Sequence, residues 1–414
     1  MKSRKPGLGI GNPGKRRTAS KVAVAARKRD KASTPAQWAA QYETVALVLQ
    51  GGGALGAYQC GVYEALHEAG IRPAWFSGTS IGAINAAILA GNAPERRLER
   101  LREFWDTICV PAGPFGAFAG IADWLPNGGP LDAWLNALGA FGALAHGQQG
   151  FFAPRLLPPF ALNDGSAAAT SFYDTTPLKA TLERLVDFDR INSDGVRLSI
   201  GATNVASGNF RYFDSALERI RPEHILASGA LPPAFPAIVV DGEHYWDGGL
   251  VSNTPLEYVL ESVPRRDTLV LQVDLWSARG PLPRNVLDVL EREKDIQFSS
   301  RTRQGTDQVA ARQRLRNALG LLLERIPDGS LPAALRGDLE PWLCDRVFNI
   351  VHLIYRAKSY EEQYKDYAFG QATMREHWTS GREDMHDSLV RPEFFALPER
   401  NLGVVTHDIH RSHR

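Results

Sequence analysis

A short apolar strand that runs directly into a glycine-rich turn and a helix constrains the fold of this chain more than any other feature. Residues 45–49 (VALVL) are continuously apolar, residues 51–56 (GGGALG) follow at once, and a helical pattern covers residues 57–69. A strand without polar alternation must be buried on both faces, as in a parallel sheet that helices cover from either side. The chain is therefore predicted to be an α/β protein with a central, mostly parallel sheet.

The same patterns place the other elements. Short apolar or alternating runs predict further strands, and longer amphipathic or small-residue runs predict helices. The predicted strands are residues 75–76, 197–203, 210–213, 237–240, 244–246 and 268–273. The predicted helices are residues 81–90, 95–108, 285–316 and 342–378.

A G-x-S-x-G motif lies between the second strand and the helix that follows it. It runs from Gly78 through Ser80 to Gly82. A serine on a tight strand-to-helix turn is held in strained backbone geometry, which flanking glycines permit. Its hydroxyl then stands at a helix N-terminus, where the helix dipole favours negative charge. The strand before it and the helix after it make Ser80 a candidate nucleophile.

The glycine turn after the first strand, residues 51–56, satisfies G-x-G-x-x-G and has three interpretations. A dinucleotide site would need an acidic residue at the end of the second strand, about 20 residues on, and none is present there. The backbone N–H groups of Gly52 and Gly53 could instead converge on an oxyanion. A close strand-to-helix turn without any ligand is the third interpretation.

A nucleophilic serine needs a base, which is most often a histidine. None of the ten histidines lies in a local catalytic motif, and surface or structural roles fit them better. Asp247, followed by Gly248 and Gly249, comes directly after a predicted strand, and a partly buried carboxylate there would be a stronger base. Taken alone, D-G-G is a turn signal.

Together, these motifs resemble the patatin-like phospholipase family, over residues 45 to about 274. The similarity is carried by four segments in the family's order. They are residues 49–56 (LQGGGALG), 78–86 (GTSIGAINA), 227–236 (ASGALPPAFP) and 247–255 (DGGLVSNTP).

The resemblance implies a patatin-like three-layer α/β fold and hydrolysis of lipid acyl esters through an acyl-enzyme, without metal or cofactor. It implies Ser80 as nucleophile, Asp247 as base and no catalytic histidine. Many members carry Arg or Lys where this chain has Ala54 and Leu55. This chain therefore lacks that positive charge, but it keeps the backbone N–H donors. The implied oxyanion loop is Gly51, Gly52 and Gly53, and the implied supporting glycines are Gly56, Gly78, Gly82, Gly248 and Gly249.

The chain divides by composition into three predicted parts. Residues 1–40 are a disordered basic tail, residues 41–277 the acyl hydrolase domain, and residues 278–414 a mostly helical extension. Residues 110–172 are an insertion poor in charge, which is either a lid or part of the core. Residues 1–34 hold eleven Lys and Arg and one acid, and the remainder carries a net charge of −9. The tail is a solvated segment or a contact to anionic membrane or nucleic acid.

The other sequence features limit partners and location. Three cysteines give no disulfide framework, and no apolar run is long enough to span a membrane. We expect a cytoplasmic protein with a lipid or acyl-ester substrate, with peripheral contact to anionic membrane through the tail as the alternative location. No nucleic-acid partner is expected, and the sequence leaves the oligomeric state open. A lipid-binding module without catalysis is the alternative function.

Overall fold

The computed structural model describes residues 34–109, 146–193, 195–327, 329–356, 366 and 369–409. The strands within these ranges are β1 (Thr44–Leu49), β2 (Trp75–Thr79), β3 (Ala153–Pro154), β4 (Tyr173–Asp174), β5 (Arg197–Asn204), β6 (Phe210–Asp214), β7 (Ile238–Val240), β8 (Glu243–Asp247), β9 (Thr268–Asp274), β10 (Phe348–Ile354) and β11 (Val404–Asp408). The helices are α1 (Pro35–Ala39), α2 (Ala57–Glu68), α3 (Ile81–Ala90), α4 (Arg97–Ile108), α5 (Ala167–Thr170), α6 (Thr176–Leu185), α7 (Phe188–Ser193), α8 (Pro222–Ser228), α9 (Leu256–Glu261), α10 (Val286–Leu323), α11 (Ala333–Leu339) and α12 (Gln371–Leu389).

A nine-stranded sheet organises the chain, in the order β11-β10-β9-β1-β2-β5-β8-β7, with β6 also paired to β5. The pairs from β11 across to β5 are all parallel. Within the described strands of this sheet, the antiparallel pairs are β5–β6, β5–β8 and β7–β8. The predicted central, mostly parallel sheet is therefore confirmed.

The side chains of β1 enter two different cores, which makes the fold three-layered. Leu47 and Leu49 belong to a large core that includes residues of α2, α3, α4 and α12. Ala46 and Val48 belong to a second core with residues of α9 and with Val309 of α10. Because successive side chains of a strand point to opposite faces, helices must cover the sheet from both sides.

The region after residue 278 is mostly helical, as predicted, but it also adds two strands to the sheet. Strand β10 pairs in parallel with β9, and β11 pairs with β10. The helix predicted over residues 342–378 is wrong for residues 348–354, which form β10. These residues (FNIVHLI) are a short apolar run, and burial beside β9 overrides the helical pattern of the charged residues around them.

The predicted tail ends earlier than residue 40. Residues 1–33 lie outside the described residues, but residues 35–39 form α1. Thr34 and Gln37 make a reciprocal capping box at its start, and Trp38 stacks on Phe395 at a centroid distance of 5.7 Å. These contacts order residues that a purely compositional argument assigned to the tail.

Of the predicted insertion, residues 110–145 lie outside the described residues. The described part contains β3 and α5, and β3 pairs in the antiparallel sense with β4, which begins directly after residue 172. The three cysteines are free and buried. Within the described ranges, no helix is both long enough and apolar enough to cross a bilayer.

Candidate active site

Two strands occupy the same edge of β5. Strand β2 pairs with residues 197–201 of β5, and β8 pairs with residues 202–204. Thr203 pairs with Phe210 of β6 and also with Trp246 of β8, so β6 and β8 must lie on opposite edges. Strand β6 also pairs along the stretch that β2 uses, which places β2 and β8 end to end along the edge opposite β6.

This arrangement brings the ends of β2 and β8 together. Thr79, the last residue of β2, pairs with Gly201, and Asp247, the last residue of β8, pairs with Ala202. The strands run in opposite directions, so their carboxyl ends meet. Ser80 follows Thr79 directly, and its side chain lies close enough to the carboxylate of Asp247 to lower the pKa of that group. The sequence prediction of these two residues as partners thus corresponds to a contact in the fold.

Ser80 occupies a strained turn between β2 and α3. Its φ of 55° and ψ of −125° lie where residues other than glycine are rare. A Cβ atom on Gly78 would lie 2.3 Å from the carbonyl oxygen of Gly82, and one on Gly82 would lie 2.3 Å from the carbonyl oxygen of Leu49. Both glycines are therefore required by close backbone approach, and the predicted tight strand-to-helix turn is confirmed.

Asp247 is a buried carboxylate with few partners. Its residue is 2% exposed, and its Oδ1 accepts a hydrogen bond of 2.7 Å from the N–H of Gly249. Burial raises the pKa of Asp247 to about 6, against the hydrogen bonds from Ser80 and Gly249, which lower it. In the described chain, no histidine is among the groups that shift this pKa. The site therefore pairs a strained serine with a carboxylate that is easily protonated.

The glycine loop lies against Ser80, and Gly51 differs from its predicted role. A Cβ atom on Gly51 would lie 3.0 Å from the Cβ of Ser80. The N–H of Gly51 donates to the carbonyl oxygen of Asn253 at 3.2 Å. Its carbonyl oxygen accepts from Asn253 Nδ2 at 2.9 Å and from Trp276 Nε1 at 2.8 Å. Gly51 is thus a fixed part of the loop, and its N–H is not available to an oxyanion.

The N–H groups of the next two glycines, Gly52 and Gly53, have no acceptor among the described residues. Gly53 has a φ of 57°, and its Cα lies so near Asp366 that a Cβ would be 2.2 Å from the Asp366 carbonyl oxygen. That oxygen accepts the N–H of Ala54 at 2.9 Å. Lys294 of α10 donates to the Asp366 carboxylate at 2.8 and 3.1 Å.

Two residues that the sequence prediction did not single out for a role hold the site in place through hydrogen bonds. Ser228, at the end of α8, accepts the N–H of Ser80 at 3.0 Å and donates to the carbonyl oxygen of Gly201 at 2.7 Å. Asn253 holds Gly51 from both sides. Both residues lie inside segments that carry the family resemblance, and this was the available signal.

The remaining predicted glycines lie around the same point. Gly56 packs against the first residue of α3, Ile81, and Gly248 lies against Thr79 and the backbone of Gly201. Gly249 supplies the N–H that Asp247 accepts. The structure therefore brings the predicted glycines to the junction of β1, β2, β5 and β8.

A different cluster has the composition of a metal site. Among the described residues, Glu218, His224 and Asp241 could each offer an atom to a shared ion. Both carboxylates already pair with guanidinium groups, Glu218 with Arg211 at 3.3 Å and Asp241 with Arg221 at 2.6 Å. The Nδ1 of His224 accepts the N–H of Arg221 at 2.8 Å, so the neutral ring carries its proton on Nε2. This cluster therefore presents paired charges and a protonated nitrogen, and we assign it no ion.

Comparisons with known proteins match the chain to two patatin families and, over a short stretch, to a lysophospholipase. The family described as patatin-like phospholipase matches residues 47–260, and a family described as patatin phospholipase matches residues 296–401. A stretch of 50 residues is 56% identical to lysophospholipase nte1 of Aspergillus terreus (strain NIH 2624 / FGSC A1156). That match covers 12% of this chain and spans only 3% of the length of nte1.

Two solved structures resemble the chain more weakly. VipD from Legionella pneumophila is 16% identical, with a TM-score of 0.31, over 82% of this chain and 67% of its own. The type III effector protein ExoU is 16% identical, with a TM-score of 0.23, over 82% of this chain and 53% of its own. Because the family profile at residues 47–260 covers more than half of the 414 residues, the chain belongs to the patatin-like phospholipase family.

Proposed function

We propose that the protein is a serine hydrolase that cleaves lipid acyl esters, with Ser80 as nucleophile and Asp247 as base. The observation that carries this proposal is the meeting of the ends of β2 and β8, which places the Ser80 side chain next to the buried Asp247 carboxylate and lowers the pKa of that group. Family membership supports lipid ester hydrolysis as the general activity. The position of Ser80 on a strained turn at the start of α3 supports its role as the attacking group.

The environment of Asp247 suits a proton acceptor near neutral pH. A carboxylate with an ordinary pKa would be a weak base, whereas the pKa of about 6 lies closer to neutrality and still leaves the group mostly ionised at pH 7. The N–H of Gly249 fixes Oδ1, so the carboxylate cannot rotate freely away from Ser80. Asp247 can therefore both hold and accept the serine proton.

In the first half of the proposed reaction, the Ser80 oxygen attacks the ester carbonyl carbon while its proton moves to Asp247. The carbonyl oxygen of the substrate becomes an oxyanion in a tetrahedral intermediate. The N–H groups of Gly52 and Gly53 are the proposed donors to it, and one such donor typically lowers the barrier by about 2.7–4 kcal/mol. The bond to the leaving alcohol then breaks, and Asp247 returns the proton to that alcohol.

In the second half, water attacks the acyl-enzyme and gives its proton to Asp247. A second tetrahedral intermediate forms at the same carbon. When it collapses, the bond to the Ser80 oxygen breaks, the proton returns from Asp247 to Ser80, and the carboxylic acid is released. Asp247 thus acts as base and acid in turn, which lets one carboxylate serve without a histidine.

Two substitutions test the dyad. Ser80→Ala and Asp247→Asn should each reduce turnover of a short-chain p-nitrophenyl ester by at least about a thousandfold while the protein stays folded. Ser207→Ala and Asp241→Asn are matched controls, since both residues are exposed and neither has a role in the proposed chemistry. Wild-type turnover in either dyad variant would refute the assignment, whereas no turnover by the wild type would favour a lipid-binding module without catalysis.

The basic residues of the tail support a second, separate proposal about location. We propose that residues 1–34, with eleven Lys and Arg, attract the chain to anionic membranes from the cytoplasm. Deleting these residues should reduce co-sedimentation with anionic vesicles at low salt. Unchanged co-sedimentation would remove this proposal and leave the dyad untouched.

A further inference from the structure

The loop between β3 and β4, residues 155–172, presents apolar side chains to solvent. The exposed fractions are 102% for Leu156, 59% for Leu157, 87% for Phe160 and 38% for Phe172. Phe160 and Phe172 pack edge to face at a centroid distance of 5.7 Å. The four exposed side chains are together called the apolar tip of this loop. Single exposed apolar residues are ordinary on a protein surface, whereas four large ones within one loop of 18 residues indicate a contact surface.

The base of this loop is anchored by aromatic packing. Phe152 contacts Tyr173 at a centroid distance of 4.8 Å and Phe235 at 5.4 Å, and Phe151 contacts Phe235 at 6.1 Å. Phe151 and Phe152 are themselves buried. The base of the loop is therefore fixed to the body of the protein by buried aromatic side chains.

The same base adjoins the proposed dyad. The N–H of Phe172 donates to the carbonyl oxygen of Pro233 at 3.2 Å, and the N–H of Tyr173 donates to that of Ala234 at 3.0 Å. Three residues before Pro233, the carbonyl oxygen of Ala230 accepts the N–H of Asp247 at 3.0 Å. Three residues span at most about 11 Å, so the loop base lies close to the active site.

The charge of the loop suits a neutral partner. Of its 18 residues only Arg155 and Asp164 are charged, and their charges cancel. Arg155 is engaged at the base, where its Nε donates to Ser171 Oγ at 3.2 Å. A surface that binds this tip must therefore bind it through apolar contact, because electrostatic attraction contributes little.

The area of the tip argues against a second protein as its partner. Four partly exposed Leu and Phe side chains offer on the order of 500 Å². A stable protein interface buries about 800 Å² on each partner. A bilayer needs no complementary shape and accepts a few apolar side chains in its acyl region.

We propose that residues 155–172 form a membrane-insertion loop, which seats the active site on a zwitterionic phospholipid surface through Leu156, Leu157, Phe160 and Phe172. The proposal deepens the proposed function, because it assigns the surface from which a lipid ester would enter. Binding should depend weakly on salt, which separates it from attraction of the basic tail to anionic membranes.

The test measures binding of the full chain to vesicles of ether-linked phosphatidylcholine, which lack hydrolysable esters. At about 1 M NaCl, where the Debye length is about 3 Å, the charged tail contributes little. The double variant Leu156→Asp/Phe160→Asp should bind about a hundredfold more weakly, since each buried Leu or Phe contributes about a tenfold factor or more. Phe160→Trp should retain binding, and Val390→Asp, at another exposed apolar residue, should leave it unchanged.

Several results would overturn the proposal. One is equal vesicle binding by wild type and the double variant. Another is a change of the variant from dimer to monomer in solution, which would show that a second copy covers the loop. A third is a large loss of thermal stability without a change in binding, which would show that other residues of this chain cover it. Turnover of a soluble p-nitrophenyl ester by the double variant should equal wild type, so failure of the loop and failure of the dyad are distinguishable.

Discussion

Ser80 and Asp247 lie at the facing ends of two strands that share one edge of β5. The pairs Thr79–Gly201 and Asp247–Ala202 are successive along that edge, and this adjacency brings a serine and a carboxylate from distant parts of the chain next to each other. The geometry of the proposed dyad is therefore set by β5 and the backbone pairs around it. The two side chains need no flexible loop to meet.

Activity is expected to fall at acid pH because the proposed base must be ionised. Burial raises the pKa of Asp247 to about 6, so the ionised fraction falls below that pH. We expect kcat/KM for a soluble p-nitrophenyl ester to fall about tenfold per pH unit below 6 and to be flat from about pH 7 to 8. Circular dichroism at each pH would verify that the protein remains folded. A midpoint near pH 4 would contradict the desolvated environment of Asp247.

The same carboxyl group should make Asp247→Asn more stable than wild type at alkaline pH. The pKa of Asp247 is raised on folding, so its favourable contribution is complete below about pH 3.8 and is lost as pH rises through about 6. An amide does not ionise, and its oxygen can still accept the N–H of Gly249. Urea unfolding should show a gain on the order of 3 kcal/mol at pH 8, which shrinks below about 1 kcal/mol near pH 4.

Asp241→Asn provides the control for that measurement, because folding shifts the pKa of Asp241 in the opposite direction to that of Asp247. The ion pair with Arg221 lowers the pKa of the exposed Asp241, so its ionised form is favoured in the folded state. Removing that charge should give no gain at pH 8. If both substitutions stabilised the protein equally, the effect would reflect overall charge and not the burial of Asp247.

Backbone strain at position 80 predicts an unusual order of stability between two inactive variants. The φ of 55° favours glycine, so Ser80→Gly should be more stable than Ser80→Ala by about 1 kcal/mol in thermal or urea unfolding. Ser77 is the matched control, since it is buried within the regular part of β2. There the order should reverse, because glycine weakens a strand relative to alanine. The same order at both positions would refute the strain.

The local parts of the site could be predicted from the sequence because a few consecutive residues specify each of them. The glycine loop, the turn at Ser80 and the D-G-G turn at Asp247 each follow a strand, and their order resembles the family. The apolar runs also predicted β1, β5 and β9 to within a residue or two. Such sequence signals reflect short-range backbone requirements, which do not depend on distant segments of the fold.

The distant contacts could not be predicted, since they depend on how separate segments meet. Gly51 was predicted as part of the oxyanion loop, yet its N–H donates to the carbonyl oxygen of Asn253, in the loop after β8. Strand β10 was predicted as part of a helix because the residues around its short apolar run are charged, and its position between β9 and β11 decides for a strand. Nothing local to Asp366 indicates that its carbonyl oxygen reaches Ala54.

The hydrogen bond between Ala54 and Asp366 predicts that the C-terminal region helps to hold the glycine loop in position. The Asp366 carbonyl oxygen accepts the N–H of Ala54, directly after Gly53, and Lys294 holds the Asp366 carboxylate. Lys294→Met keeps the side-chain length and removes the charge. We expect kcat for a soluble ester to fall about tenfold, on the order of 1.4 kcal/mol in the barrier, with little change in KM. The reason is that a loosened loop would hold its donors less well in the transition state.

Two further variants make this prediction specific. Lys294→Arg should restore most of the activity, because a guanidinium group can also pair with the Asp366 carboxylate. Lys179→Met removes a comparable ion pair, with Glu223 at 2.8 Å, from α6 and should leave kcat unchanged. If Lys294→Met raised KM alone, or if Lys179→Met had the same effect on kcat, the lysine would contribute only general stability. A selective loss of kcat, with rescue by arginine, would instead link α10 to the proposed oxyanion donors through Asp366.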